Sequence, residues 1–319
     1  MPAQRLILVM TTTALMLLGA APASSQQFPN KAIRLVTSGV GGGNDVTARL
    51  IASDLSNNLG QPVVVENRGS IVPGETVKNA APDGYTLLFG TNSLWSGALL
   101  RKTPYDPVKD FAPVAMTVSF PTIMAVSGTL PVTSVKDFIA LAKAKPGEIN
   151  YVMTSTGGSA HLASELFKSL AGINMTQVAY KNAGTGIADL ISGRVHLFFS
   201  AAGPVMPHVK AGRLKALGVT TPKPSALFPD LPTVAATIPG YEMGATYCIF
   251  APAKTPTAII TRLNREIVRT LNTPEAKEKY FSNGLDIVAS SPEALAAMRK
   301  ADIARLNKVI KDAGIPIEM

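Results

Sequence analysis

Thr37-Ser38-Gly39-Val40-Gly41-Gly42-Gly43-Asn44-Asp45 places four glycines in five consecutive positions. Just before it stands the apolar run of residues 33–36, Ile-Arg-Leu-Val, which predicts a strand. Just after it Val46, Leu50, Ile51, Leu55 and Leu59 recur at helical spacing. So dense a group of glycines suits a loop whose backbone comes close to something, not a packed element. A glycine loop that opens onto a helix exposes unpaired N–H groups at the positive end of the helix dipole, which makes it a ready anion site. Asp45 is expected to cap that helix.

Outward from this stretch the chain alternates strand and helix. Strands are expected at 63–66 and 85–90, with a short helix at 74–80 between them. Residues 91–110, with Pro104 and Pro107, predict irregular chain, and two short strands follow at 114–118 and 123–126. Ser134 caps a helix running to about 144, with Asp137 three residues on as a short-armed capping box. A strand at 150–153 leads through the polar loop Thr154-Ser155-Thr156-Gly157-Gly158-Ser159 into a helix ended by Gly172. Strands at 177–180, 195–199 and 214–219 alternate with helices near 185–191 and 206–211. Residues 220–245 are rich in Pro and Gly and predict loop, and helices follow at 255–271, 274–283 and 292–313. Such alternation implies parallel sheets covered by helices, with ligands taken at the carboxyl ends of the strands. Two sets of polar loops stand there, near 37–45 and near 154–184, and two domains facing across a cleft would let both touch one ligand.

The 319 residues suffice for two ordinary domains, and 46% hydrophobic content can fill their cores. Lys and Arg number 30 against 21 Asp and Glu, a net charge of +9, but they are scattered and not interleaved with aromatics, so nucleic acid is not an expected partner. Residues 1–23 read as a secretory signal peptide: Arg5 is the lone charge, 6–18 is almost wholly apolar, and Ala21-Pro22-Ala23 supplies the small-x-small cleavage pattern. An exported, periplasmic chain is therefore expected. The single Cys248 lies in an apolar run and reads as a buried small hydrophobe.

Rival chemistries fit less well. Gly39-Val40-Gly41 begins a dinucleotide fingerprint, but Asn44 holds the third glycine position, and no phosphate-loop Gly-Lys-Ser/Thr follows. His161, His196 and His208 are isolated, so neither zinc nor any other cofactor is implied. No Gly-x-Ser-x-Gly elbow exists, and Ser159 with His161 sits at a helical i, i+2 spacing that points the two apart. His161 either donates to a ligand or braces the 154–159 loop.

A set of ordered stretches is similar to one family. They are Phe28-Pro29-x-Lys31-x-Ile33-Arg34, Gly41-Gly42-Gly43-Asn44-Asp45, Leu59-Gly60-Gln61-Pro62-Val63-Val64-Val65-Glu66-Asn67-Arg68, and Ala81-Pro82-Asp83-Gly84-Tyr85-Thr86-Leu87-Leu88. Further on stand Tyr105-Asp106-Pro107-x-Lys109-Asp110-Phe111-Ala112-Pro113-Val114, His161-Leu162-Ala163-x-Glu165-Leu166-Phe167, Tyr180-Lys181, Leu231-Pro232-Thr233-Val234 and Pro239-Gly240-Tyr241. Over about 28–317 the chain resembles the Bug-type periplasmic solute-binding proteins of tripartite tricarboxylate transporters.

The resemblance implies an α/β, two-lobed periplasmic-binding-protein-like fold of type II, a "Venus flytrap" in which each lobe is a sheet covered by helices. Lobe one is expected at 27–125 plus 248–319 and lobe two at 126–247. It implies no enzyme and no cofactor, but a monomer that takes a small carboxylated solute and hands it to a two-component membrane permease, or to none in an orphan receptor. The expected ligand-binding residues are Ser38, Gly39, Val40, Gly41, Gly42, Gly43, Asn44 and Asp45 in the first loop. Thr91 and Asn92 join from the same lobe. Thr154, Ser155, Thr156, Gly157 and His161, then Tyr180, Lys181, Gly184 and Ser200, come from the other. Three departures touch this site: Gly69-Ser70-Ile71-Val72-Pro73-Gly74 replaces the usual Pro-Gly-Ala-Gly-Gly, Ser200 replaces a frequent acid, and Thr37-Ser38-Gly39-Val40-Gly41 stands where Pro-Phe-Pro-Ala-Gly is commoner. They permit a ligand outside the di- and tricarboxylates, such as an aromatic acid or a monocarboxylate. An exported hydrolase or a sensor-only receptor for the same solutes is the alternative, and a nucleophile–base pair would be the mark of the hydrolase.

Overall fold

The computed structural model describes residues 28–319 apart from 41, 70, 222, 313, 316, 318 and 319. The expected signal peptide and Gly41 lie outside the described residues. Residues 31–319 fold as one unit.

Its first layer starts with β1 (Ile33–Ser38), parallel to β2 (Val63–Arg68) on one side and β3 (Thr86–Gly90) on the other. Each strand runs into a helix: α1 (Gly43–Leu59), α2 (Val72–Lys78) and α3 (Ser93–Leu100). Three strand-to-helix loops therefore open at the same edge of the sheet. α1 packs through Ala48, Ile51, Ala52, Leu55 and Leu59, a stripe at three- and four-residue spacing. It stops at Gly60, whose φ of +65° closes the last turn in the left-handed region that glycine adopts without cost.

β4 (Phe111–Ser127) then runs for seventeen residues through two neighbourhoods. Its positions from Phe111 to Pro121 pair antiparallel with β9 (Gly244–Pro252). Its positions from Thr122 onward pair antiparallel with β7 (Leu197–Ala201) and β8 (Leu214–Val219). In this second neighbourhood β5 (Asn150–Met153) lies parallel to both β6 (Thr176–Ala179) and β7. Its helices are α4 (Val135–Ala144), α5 (Ser159–Ala171), α6 (Ala183–Ser192) and α7 (Ala202–Lys210). The strand order is β2-β1-β3-β9-β4-β7-β5-β6, with β8 and β10 (Asp286–Ile287) also on β4.

The chain ends in α8 (Thr257–Leu271), α9 (Pro274–Ser282) and α10 (Pro292–Asp312), which return to the first neighbourhood. Asn58 Nδ2 donates to Thr270 Oγ1 (2.8 Å), Lys279 pairs with Asp54 (2.7 Å), and Trp95 Nε1 donates to Asp302 Oδ2 (2.7 Å). The final fifth of the sequence thus braces α1, which the first glycine loop opens, and α3.

Four expectations are corrected. The sheets are mixed, because β4 and β9 both run antiparallel to their neighbours where the chain crosses between neighbourhoods. The two short strands expected at 114–118 and 123–126 are one strand. Pro121 and the polar residues near it suggested a break, and β4 absorbs its prolines with register shifts beside Pro113 and between Met116 and Val118. Residues 91–110 are not all irregular: α3 was hidden because Leu94, Trp95, Ser96, Gly97 and Leu100 are all buried, which leaves no polar face to set a period. Asp45 is not the cap of α1. Gly42 is, without a side-chain cap, and Asp45 lies in the first turn of the helix.

Candidate functional site

A cleft of about 530 Å³ is lined by residues from the carboxyl ends of β1, β3 and β7 and by the loops opening α1, α2, α3, α5 and α6. That volume falls in the range of small-molecule sites.

On the β1 side Gly39 turns the chain with φ +49°, and Asn44 Nδ2 donates to Ser38 Oγ (2.7 Å), which ties the first turn of α1 back to the strand. Val40 at the loop tip is 77% exposed, an apolar side chain standing open at the cleft edge. Gly43 permits the closest approach: a Cβ there would lie 2.6 Å from the Tyr247 hydroxyl. Tyr247 is buried, stacked between Phe89 (5.1 Å) and Phe120 (4.8 Å), and burial pushes its phenol well above the ordinary range. These three rings floor the cleft. Sequence reasoning missed them because each reads as ordinary strand core.

On the opposing side Gly158 caps α5 without a side chain, as Gly42 does for α1. Gly157, at φ +72°, lets this loop lie against α3, since a Cβ there would come within 2.6 Å of Gly97 Cα. Ser96 Oγ donates to the Gly157 carbonyl (2.7 Å) across the same contact. Asn182 caps α6, its Oδ1 accepting from Thr185 N–H (3.0 Å).

Of the expected residues, Ser38, Gly39, Val40, Gly42, Gly43 and Asn44 line the cleft from the first loop. Thr91, Thr154, Ser155 and Thr156 line it as well, with Lys181, Gly184 and Ser200. Asp45 is instead buried below the loop, pairing with Arg49 (2.8 Å) and accepting from Asn67 Nδ2 (3.1 Å). Asn92 turns to the Gly244 carbonyl (3.4 Å). Tyr180 donates to Asp189 Oδ2 (2.8 Å), and burial, then that carboxylate, pushes its phenol up to about 12. Gly157 and His161 stand just behind the wall. His161 Nδ1 accepts from the Gly157 N–H (3.1 Å), which is the bracing role, and that nitrogen is then occupied and not poised to take a proton from Ser159.

Ile71, Pro73 and Gly74 line the cleft, as the departure at 69–74 led one to expect, and Arg101 and Tyr105 line it beside them without having been expected there. The signal was present for the Ile71–Gly74 loop, which departs from the family pattern, but not for Arg101, which fell in a stretch read as irregular. The electrostatic balance is one-sided: the lining holds the cations of Arg101 and Lys181 and no Asp or Glu. Two uncapped helix starts add the positive ends of their dipoles. Such a cleft favours an anion with hydrogen-bond acceptors. Among the described residues no group of three or more His, Cys, Asp or Glu could hold a metal ion, and no helix is long and apolar enough to cross a membrane.

Residues 47–315 match the family described as "tripartite tricarboxylate transporter family receptor". The chain is 32% identical over 307 residues to "Protein BugT" of Bordetella pertussis, covering 94% of each. It is similar to the solved structure of R. palustris Rpa4515 with adipate, at 36% identity and a TM-score of 0.87 over 91% of this chain and 99% of that one. It is also similar to MatC of Rhodopseudomonas palustris with bound malate, at 27% identity and a TM-score of 0.82 over 89% and 100%. These family and structural neighbours are substrate-binding receptors, not enzymes.

Proposed function

The chain belongs to the tripartite tricarboxylate transporter receptors, with the two-lobed fold of periplasmic binding proteins, and on that premise we propose that it is a periplasmic receptor that captures a small carboxylated solute in the interlobe cleft. The observation that carries this reading is the lining itself: two cations, two uncapped helix N-termini, several hydroxyls and no carboxylate. The adipate and malate named with its structural relatives support the same ligand class.

One carboxylate is held at the first loop by backbone donors around Gly42–Asn44 and meets Thr154–Thr156 from the other side. Lys181, Gly184, Thr91 and Ser200 complete the contacts. Gly41 belongs to the same loop in sequence. Asp45, His161 and Gly157 act by positioning these loops, and Asn92 and Tyr180 by holding the elements beneath them. The lobes divide where β4 changes partners, at Pro121 and Thr122, and where β9 begins at Gly244. Those points are a few residues from the divisions expected at 125/126 and 247/248. Ligand closes the lobes about these two crossings, and the closed monomer is handed to a two-component membrane permease. Export by the N-terminal signal peptide puts the protein where it can do so.

A thermal-shift panel of mono-, di- and tricarboxylates, aromatic acids and amides tests the reading. A ligand at 100 times its dissociation constant adds about 2.7 kcal/mol, which raises the melting temperature by about 4 °C. Silence across every carboxylate, with a shift from a cation or a neutral sugar, would overturn it.

A further inference from the structure

Arg101 follows the last turn of α3, its backbone N–H bonded to the Gly97 carbonyl (3.0 Å). Its side chain lines the cleft, and its Nε is buried with no hydrogen-bond partner among the described residues. Nor does the guanidinium form an ion pair among them, although most arginines of the protein do: Arg34 pairs with Glu66, Arg49 with Asp45 and Arg305 with Asp302. A buried donor on a charged group that finds no acceptor is costly, and native proteins keep few of them without a reason. An arginine fork in a cleft without acids is completed by a planar anion from outside.

Other parts of the same cleft lining differ from the glycine loops. Ile71 and Pro73 at the start of α2, Leu94 of α3 and the ring of Tyr105 are apolar, and Tyr105 is 8% exposed. Gly74 makes the room: a Cβ there would sit 2.5 Å from Tyr105 Cε1, so the ring occupies the space a side chain would fill. The two glycine loops supply their own donors for one carboxylate. Arg101 is a separate cation beside an aliphatic wall, and a monoanion held at the glycine loops leaves it uncompensated.

We infer that Arg101, backed by Ile71, Pro73, Leu94 and Tyr105, is a subsite for the second carboxylate of an aliphatic α,ω-dicarboxylate whose methylene chain lies on the apolar wall. This rests on the carboxylate reading above and narrows it. The aromatic acids and monocarboxylates that the three departures permit become the weaker ligands. Arg101 is a specificity residue: it does not touch the first carboxylate and sets which solutes are worth closing on.

The experiment is calorimetric titration of the full-length mature protein with straight-chain dicarboxylates from succinate to suberate and with the monocarboxylates of the same lengths. Wild type is expected to bind one of the dicarboxylates at least tenfold more tightly than its monocarboxylate. Arg101→Gln should weaken that dicarboxylate roughly 10- to 100-fold, the range of a lost charge-assisted pair, and collapse the ratio between the two classes toward unity. Arg101→Lys, which keeps the charge without the fork, should recover part of the loss. The unliganded melting temperature of each variant separates lost binding from lost folding. Equal affinity for both classes in wild type, or an Arg101→Gln variant that keeps the wild-type ratio, would overturn the inference while leaving the carboxylate receptor standing. Failure of every carboxylate to bind wild type would remove the receptor reading, and the subsite with it.

Discussion

An alanine at Gly43 would place its Cβ 2.6 Å from the Tyr247 hydroxyl oxygen, against 3.8 Å from Ala201 Cβ and 4.0 Å from Tyr247 Cζ. Of these only the first is a collision. Tyr247 has little freedom to retreat, because its ring is 2% exposed and stacked on both Phe89 and Phe120, and its hydroxyl is hydrogen-bonded to the Thr47 side chain. Overpacking of this kind costs roughly 1–3 kcal/mol. Tyr247→Phe alone removes one hydrogen bond and should cost about 1 kcal/mol. In the double variant the nearest ring atom is Cζ at 4.0 Å, an ordinary contact, so the collision disappears. The pair is therefore expected to couple, with the double variant at least about 1 kcal/mol more stable than the sum of the single effects. Urea denaturation of the four proteins gives the cycle. Additivity within about 0.5 kcal/mol, or a Gly43→Ala protein as stable as wild type, would refute the claim that backbone and phenol meet at the cleft floor.

Gly157→Ala should be worse than Gly43→Ala. It adds a left-handed φ of +72° to a Cβ only 2.6 Å from Gly97 Cα, and a loss of more than about 2 kcal/mol is expected in the same denaturation assay. A Cβ at Gly42 meets only the Gly39 carbonyl, at 3.7 Å, so for Gly42→Val the melting temperature should change little while affinity for the best carboxylate falls at least tenfold by calorimetry. His196 accepts from the Asn150 N–H through Nδ1 (2.9 Å), and burial, with Lys145 nearby, holds its pKa below the ordinary 6.5. The folded protein then binds fewer protons than the unfolded chain as pH falls below 6.5, and stability drops in that window. Melting temperatures measured across it should fall more steeply for wild type than for His196→Gln, and parallel curves would exclude the histidine as a source of the acid sensitivity.

Much of the fold was legible because each half repeats strand, small polar loop and helix, and because the apolar run at 33–36 and the helical spacing of Ile51, Leu55 and Leu59 mark the first strand and helix. What stayed hidden was whatever burial on all sides erases. α3 has no polar face, and β4 looked like two strands because proline and polar residues interrupt its apolar run. Antiparallel pairing by β4 and β9 is a long-range fact that alternation does not encode. In the cleft, the residues found from sequence were those of the glycine and hydroxyl loops, where composition betrays a backbone that must approach a ligand. The floor of Phe89, Phe120 and Tyr247 reads as core, and Arg101 reads as a surface cation until α3 is drawn. Asp45, Tyr180 and His161 looked like contacts because they sit next to the loops in sequence. Their partners, Arg49, Asp189 and the Gly157 N–H, turn them inward.

A crystal structure with the carboxylate that gives the largest thermal shift decides whether the two loops hold the ligand between them. Closed lobes are expected, with one carboxylate bridging the backbone at Gly42–Asn44 and the hydroxyls of Thr154–Thr156. A ligand bound outside this cleft, or inside it with no carboxylate oxygen within hydrogen-bond distance of either loop, would contradict it.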